Sequence, residues 1–267
     1  MRSERHVFLT VMTAAMLVFS LTPLVLVSVF SVNASRFYAF PITGLTLQWY
    51  SDLLSDDRIW SSLLSSVLIA VGVSAISTCM GTAFAFVVVR GTGRFWRTAS
   101  VLGFIPLAVP VLVLAAALQV AFVEIGLPLG YGTVIIGHTI FATPFVVLMV
   151  VAQLFRYDWR LDAAARDLGA SAVETFRHVT LPILMPSIRS GAILGFLLSF
   201  NEWAIAFFTG RGFNTLPMLV YSMQRNGLPP SVLAYSSLIV IFVLAAVLLL
   251  LPFVLRMLVR GAAQETT

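Results

Sequence analysis

Glu202 lies deep in an apolar run, about 12 residues past Ser190 or roughly 18 Å along a helix, and Trp203 and Phe207 follow it. A carboxylate at that depth is costly unless it meets a partner or water. Two aromatic faces beside it suit an organic cation, whose ammonium groups gain from the charge and from the rings. Asn201 adds a neutral polar group just before the acid. The same acid has two other uses: an ion pair with Arg211 or Arg225, or the capping of a neighbouring helix. No nucleophile and base can be assembled elsewhere. His6, His138 and His178 are far apart, and Cys79 is the sole cysteine, so neither a catalytic centre nor a metal site is expected. There is no lysine, and without one no Gly-x-x-x-x-Gly-Lys-[Ser/Thr] loop can hold nucleotide phosphates. The chain itself should bind no cofactor, and any ATP and Mg²⁺ belong to another polypeptide.

A second polar stretch begins Leu161-Asp162-Ala163-Ala164-Ala165-Arg166-Asp167-Leu168-Gly169-Ala170-Ser171 and continues through Glu174 to Leu181-Pro182. Leu161, Ala164, Ala165 and Leu168 recur at i, i+3, i+4 and i+7, the period of one helix face. Gly169 stands where a helix would end in the left-handed conformation. Ser171 and Glu174 have the spacing of a capping box, which starts a second helix, and Leu181-Pro182 should stop it. Asp162 and Arg166 are four apart and should pair on the exposed face, a contact worth about 0.3 to 0.5 kcal/mol.

The elements that hold these groups are set by composition. Of the residues, 60% are hydrophobic and 10% charged, and mean hydropathy is +1.01, whereas a soluble domain carries about 25% charge. The chain therefore reads as an all-α integral membrane protein. Six apolar runs, at about 7–30, 63–89, 99–122, 134–154, 190–208 and 238–258, are long enough to cross the hydrocarbon. The first is too long for a secretory signal core. Pro106 and Pro110 should bend the third span and Pro144 the fourth. Ser74, Thr78 and Thr82, with Ser77 and Gly81, give the second span small residues four apart, which let helices pack closely in lipid. Cys79 reads as a small buried hydrophobe. In the segment 31–62, Trp49, Tyr50, Leu53 and Leu54 trace a short amphipathic helix with Asp52, Asp56 and Asp57 beside it.

All sixteen basic side chains are arginine, and with the six runs as spans twelve fall on one side of the membrane and four on the other. The positive-inside rule puts both termini and the 156–187 loop in the cytoplasm. That asymmetry accounts for the net charge of +5 without nucleic-acid binding.

The polar stretch resembles the EAA loop of ABC importer permeases, which runs Glu-Ala-Ala, three residues, Gly, nine residues, Ile, one residue, Leu-Pro. Gly169, Val179, Leu181 and Pro182 match its spacing, while Ala163 stands in the place of the Glu and Asp162 one residue earlier. Ser199-Phe200-Asn201-Glu202-Trp203, Phe207-Phe208-Thr209-Gly210, Thr215-Leu216-Pro217 and Asn33-Ala34-Ser35-Arg36-Phe37 are similar to spermidine/putrescine importer permeases. The resemblance implies a single permease domain over 1–267 in the bacterial inner membrane, working by alternating access. It implies that 161–171 and Glu174 couple to an ATP-binding cassette ATPase dimer, and that a second homologous permease subunit and an extracytoplasmic solute-binding protein complete the importer. Asn201, Glu202, Trp203 and Phe207 would line the path of a polyamine. Permeases of this kind also take up other amines, opines and phosphonates, and a self-sufficient channel or secondary carrier is the alternative from another class.

Overall fold

The computed structural model describes residues 2–245 and 248, except 39, 226 and 228, with backbone alone for 2–5. The described residues are helical, with one isolated bridge between Asn33 and Leu45. They fall into two compact units, one made of residues up to Asp57 and from Ser222 onward, the other of Arg58–Tyr221.

The first unit contains α1 (Arg2–Ser31), α2 (Gln48–Leu54) and α13 (Pro230–Ala245). Polar groups at the ends of the helices tie it together. Tyr50 in α2 shares a 2.6 Å hydrogen bond with Ser31 Oγ and donates to Ser237 Oγ at 3.2 Å, while Trp49 Nε1 donates to the Asn33 carbonyl at 2.8 Å. The expected amphipathic helix is thus present, with Leu53 on its buried side. The sixth apolar run is described only as far as the end of α13, apart from 248; the remainder, with Arg256 and Arg260, lies outside the described residues.

The second unit is built on α3 (Asp57–Arg90), α7 (Tyr131–Leu154) and α10 (Leu181–Asn201). Small residues let their backbones approach. A Cβ on Gly81 would come within 2.9 Å of Val146, one on Gly191 within 3.0 Å of the same valine, and one on Gly195 within 2.9 Å of Ser77 Oγ. Ser74 Oγ donates to the Ala192 carbonyl at 2.7 Å, which joins α3 to α10. Close approach of this kind replaces the hydrophobic drive that lipid removes. Gly191→Leu is expected to force α10 off α7 at a cost of about 1 to 3 kcal/mol; thermal unfolding in detergent measures it, and an unchanged midpoint would contradict the packing. Cys79, expected to be buried, is instead exposed on α3, where lipid can cover it.

Two of the apolar runs are not single helices. The third, 99–122, is divided into α4 (Arg94–Gly103), α5 (Ile105–Ala108) and α6 (Val111–Glu124). Pro106 falls in the first turn of α5 and Pro110 precedes α6 with φ −54° and ψ 134°, so each proline begins a new helix rather than bending an old one. The fifth run starts earlier and ends earlier than 190–208. Helix continues from Ala172 to Asn201, 30 residues, then breaks at Glu202 and Trp203 before α11 (Ala204–Thr209). Pro144 leaves α7 continuous. Among the described residues, four helices are long and apolar enough to cross a membrane: His6–Ser31, Asp57–Arg90, Tyr131–Leu154 and Ala172–Asn201.

Candidate functional site

The segment with EAA-type spacing folds as a helix, a turn and a second helix. Asp158 opens it by accepting the Arg160 backbone N–H at 3.0 Å and the Arg160 guanidinium at 2.8 Å. Those hydrogen bonds hold the Asp158 carboxyl below its ordinary value. The first helix is α8 (Arg160–Asp167). It closes at Gly169, φ +94°, whose N–H donates to the Arg166 carbonyl at 2.9 Å while the Ala170 N–H reaches the Ala165 carbonyl at 3.1 Å. This pair of bonds is a Schellman motif, and it needs a residue without Cβ strain at the turn.

The second helix begins as its sequence suggests. Ser171 Oγ accepts the Glu174 N–H at 3.3 Å and Glu174 Oε2 accepts the Ser171 N–H at 2.8 Å, opening α9 (Ala172–Thr175). The hydrogen bond from the Ser171 backbone holds the Glu174 carboxyl below the ordinary glutamate value of 4.5. A carboxyl so lowered stabilises the turn above that ordinary value and loses the contribution as pH falls through the lowered one. Hydrogen exchange at the Ser171 amide should therefore keep its protection at neutral pH and lose it below pH 4.5; protection that persists in Glu174→Ala would contradict the capping box.

Leu181-Pro182 does not stop this helix. A π-helical turn, Phe176–Thr180, joins α9 to α10, and Pro182 sits in the first turn of α10. Proline clashes with the carbonyl four residues back in regular α geometry, and a wider turn just before it relieves the crowding.

Asp162 departs furthest from expectation. It is buried, and its Oδ1 accepts the Tyr157 hydroxyl and, at 3.1 Å, the Thr180 hydroxyl. It forms no ion pair with Arg166, which is exposed. The helix face carrying Asp162 is turned towards the π segment, so the acid serves packing instead of a surface pair. Burial first, and then the Asp162 acceptor, push the Tyr157 phenol above its ordinary value. Arg90, Asp162, Arg166, Thr175 and Thr180 line a cleft of about 230 Å³ here, and the Arg90 guanidinium lies 4.4 Å over the Trp159 ring. Leu168 is 90% exposed and Val173 74% exposed. These two bare aliphatic side chains flank the turn at Gly169.

At the far end of α10 lies the second group of residues. Asn201 is exposed on its last turn, and Glu202 is extended, with φ −81° and ψ 113°. Glu202 Oε1 accepts the backbone N–H of Ala204 at 2.7 Å and of Ile205 at 3.2 Å. The acid therefore caps α11, one of the alternatives open to it. Trp203 stacks on Tyr221 with centroids 3.9 Å apart, and Phe207 meets both edge-on at 6.4 and 6.1 Å. Tyr221, in α12 (Leu216–Arg225), was not among the residues expected at this site. One turn before the break, Ser199 Oγ lies 2.9 Å from Nδ1 of buried His138, which holds α10 to α7.

Residues 77–264 match the family described as binding-protein-dependent transport system inner membrane component. The chain is 33% identical over 227 residues to the spermidine/putrescine transport system permease protein PotC of Escherichia coli K12, covering 85% of this chain and 86% of that protein. It is 35% identical over 231 residues to the putrescine transport system permease protein PotI of the same strain, covering 83% and 81%. Among solved structures, a bacterial ABC transporter importing the acidic polysaccharide alginate has a chain with TM-score 0.68 at 16% identity, covering 96% of this chain and 98% of that one. The MetNI methionine ABC transporter, in inward-facing form, gives TM-score 0.58 at 19% identity over 80% of this chain and 99% of that one. The two structures share the fold alone, but the family match and the permease relatives extend over most of the sequence: the chain belongs to the binding-protein-dependent transport system inner membrane components.

Proposed function

We propose that this chain is one transmembrane permease of an ATP-driven ABC importer for polyamines of the spermidine and putrescine kind, working by alternating access. Its relatives PotC and PotI carry those solutes in their names. It forms a single domain of six crossings with both termini in the cytoplasm, as the distribution of its arginines favours. The third crossing comprises α4 to α6, the fifth the helix from Ala172 with α11, and the sixth α13 with the apolar residues after it. ATP and Mg²⁺ are held by an ATPase dimer, a second permease completes the path, and an extracytoplasmic binding protein delivers the solute.

One observation carries the mechanical part. The helix Ala172–Asn201 is continuous over 30 residues, about 45 Å at 1.5 Å per residue. The exposed knob around Leu168 and Gly169 is at one end and the Glu202 break at the other. A displacement of 161–174 by the ATPase is thereby carried along a single rod to the point where Glu202, Trp203 and Phe207 meet the solute, with Asn201 beside them. Ala163, in the place of the EAA glutamate, leaves contact with the ATPase to Leu161, Leu168, Val173 and the exposed Arg166 and Asp167.

Reconstitution tests this. Liposomes holding the permease pair, ATPase and binding protein should accumulate labelled spermidine or putrescine only with internal ATP, and liposomes with this chain alone should pass none. Flux through the chain alone would favour a channel or carrier, and ATP-driven uptake of a phosphonate or opine in preference to polyamines would replace the solute.

A further inference from the structure

α3 ends at Arg90, and Gly91 and Gly93, the latter at φ +96°, turn the chain into α4. No residue of α4 is buried. Phe95, Ala99 and Leu102 recur at i, i+4 and i+7 on one side, with Arg94 and Arg97 on the other. Phe95 is 72% exposed and Trp96 42% exposed, their rings edge to face at 5.0 Å. A first turn of arginines and bare aromatic rings suits the level of lipid headgroups, where the third crossing would begin.

Beneath it is an apolar trough of about 470 Å³. Met80, Ala83, Phe84 and Val87 form its floor, at i, i+3, i+4 and i+7 of α3, and Gly103 and Thr143 form its sides. Gly103 lets α4 end flush on Phe84, for a Cβ there would come 2.3 Å from the ring. The Thr143 hydroxyl is engaged with the Thr139 carbonyl at 2.7 Å, so the walls offer no free donor to hold water. From Met80 to Val87 the trough runs about 10 Å along α3, and Arg90 follows one turn later. An apolar channel of that length fits the upper part of one acyl chain, and the helix that ends on it at Gly103 begins with arginines and aromatic rings.

We infer that the trough is a phospholipid site, with an acyl chain on the Met80–Val87 face and an anionic headgroup held by Arg94 and Arg97. A zwitterionic headgroup brings an ammonium towards the same two arginines, so the site selects net negative lipids. A lipid seated there fastens α4 to α3. The site depends neither on the solute nor on coupling to the ATPase.

The test uses the assembled complex in detergent with equal dioleoyl phosphatidylglycerol and dioleoyl phosphatidylethanolamine, followed by washing and native mass spectrometry. The wild type should retain phosphatidylglycerol in preference, one per copy of this chain. Ala83→Phe, which fills the trough from an exposed position, should lower retention of both lipids by about tenfold or more, equivalent to at least 1.4 kcal/mol. Ala83→Leu serves if the first variant fails to assemble. Arg94→Gln with Arg97→Gln should abolish the preference while a lipid still binds. Retention unchanged by either Ala83 variant, equal retention of both lipids by the wild type, or a photo-crosslink from position 80 to the second permease instead of lipid would overturn the proposal.

Discussion

Leu168→Glu is expected to leave the protein folded and inserted while cutting ATP-driven uptake and recovery of the ATPase on purification by about tenfold or more. The side chain is 90% exposed, so replacing it removes little from the chain's own stability. In a groove on the ATPase the same change buries a charge without a partner. Gly169→Pro should be more severe. Proline fixes φ near −65° where the turn has +94° and removes the N–H that reaches Arg166 at 2.9 Å. Both helices would then lose their relative direction, as they would on deletion of 161–168, and uptake should vanish while the protein still reaches the membrane. Uptake at the wild-type rate in either substitution, with the variant present in the membrane, would refute docking through this knob.

Glu202 supports the second large effect, because cap and charge can be separated. Glu202→Gln keeps an oxygen for the Ala204 and Ile205 amides but removes the negative charge; Glu202→Ala removes both and should add a cap loss of about 0.5 to 2 kcal/mol. If the carboxylate meets a polyamine, KM for spermidine should rise about tenfold or more in Glu202→Gln, with unfolding temperature unchanged. An acid that only caps predicts the reverse order: a near-normal KM in Glu202→Gln and a destabilised Glu202→Ala. Trp203→Ala should also raise KM if the solute passes here, since it removes the ring stacked on Tyr221 and one aromatic face of the proposed path.

What the sequence made legible was whatever is decided within a few residues. The end of α8 at Gly169 and the Ser171–Glu174 box depend on backbone groups no more than five positions away, and they lie where the residue types put them. Hydropathy located the apolar runs but is blind to backbone breaks inside them. The run 99–122 is greasy throughout, yet Pro106 and Pro110 cut it into separate helices. Asp162 was misread because its partners are Tyr157 and Thr180, the latter 18 residues away; helical spacing offers Arg166 and has no means of finding a hydroxyl brought round by the next element. Pro182 was misread because the stop rule presumes α geometry on both sides. Glu202, by contrast, had a readable local role, since an acid two residues before a short helix is placed to cap it, though the depth of the residue drew attention to its charge.

The π turn at Phe176–Thr180 sets the angular phase of the rod. It holds one residue more than regular α winding needs, and each residue is worth about 100° of rotation. Wound as regular α-helix, the same five residues would swing the entire 161–174 segment about that far around the axis relative to Glu202. On the proposed coupling, the direction in which a displacement of 161–174 would turn the transport path is therefore kept by a local irregularity of the backbone rather than by any one side chain.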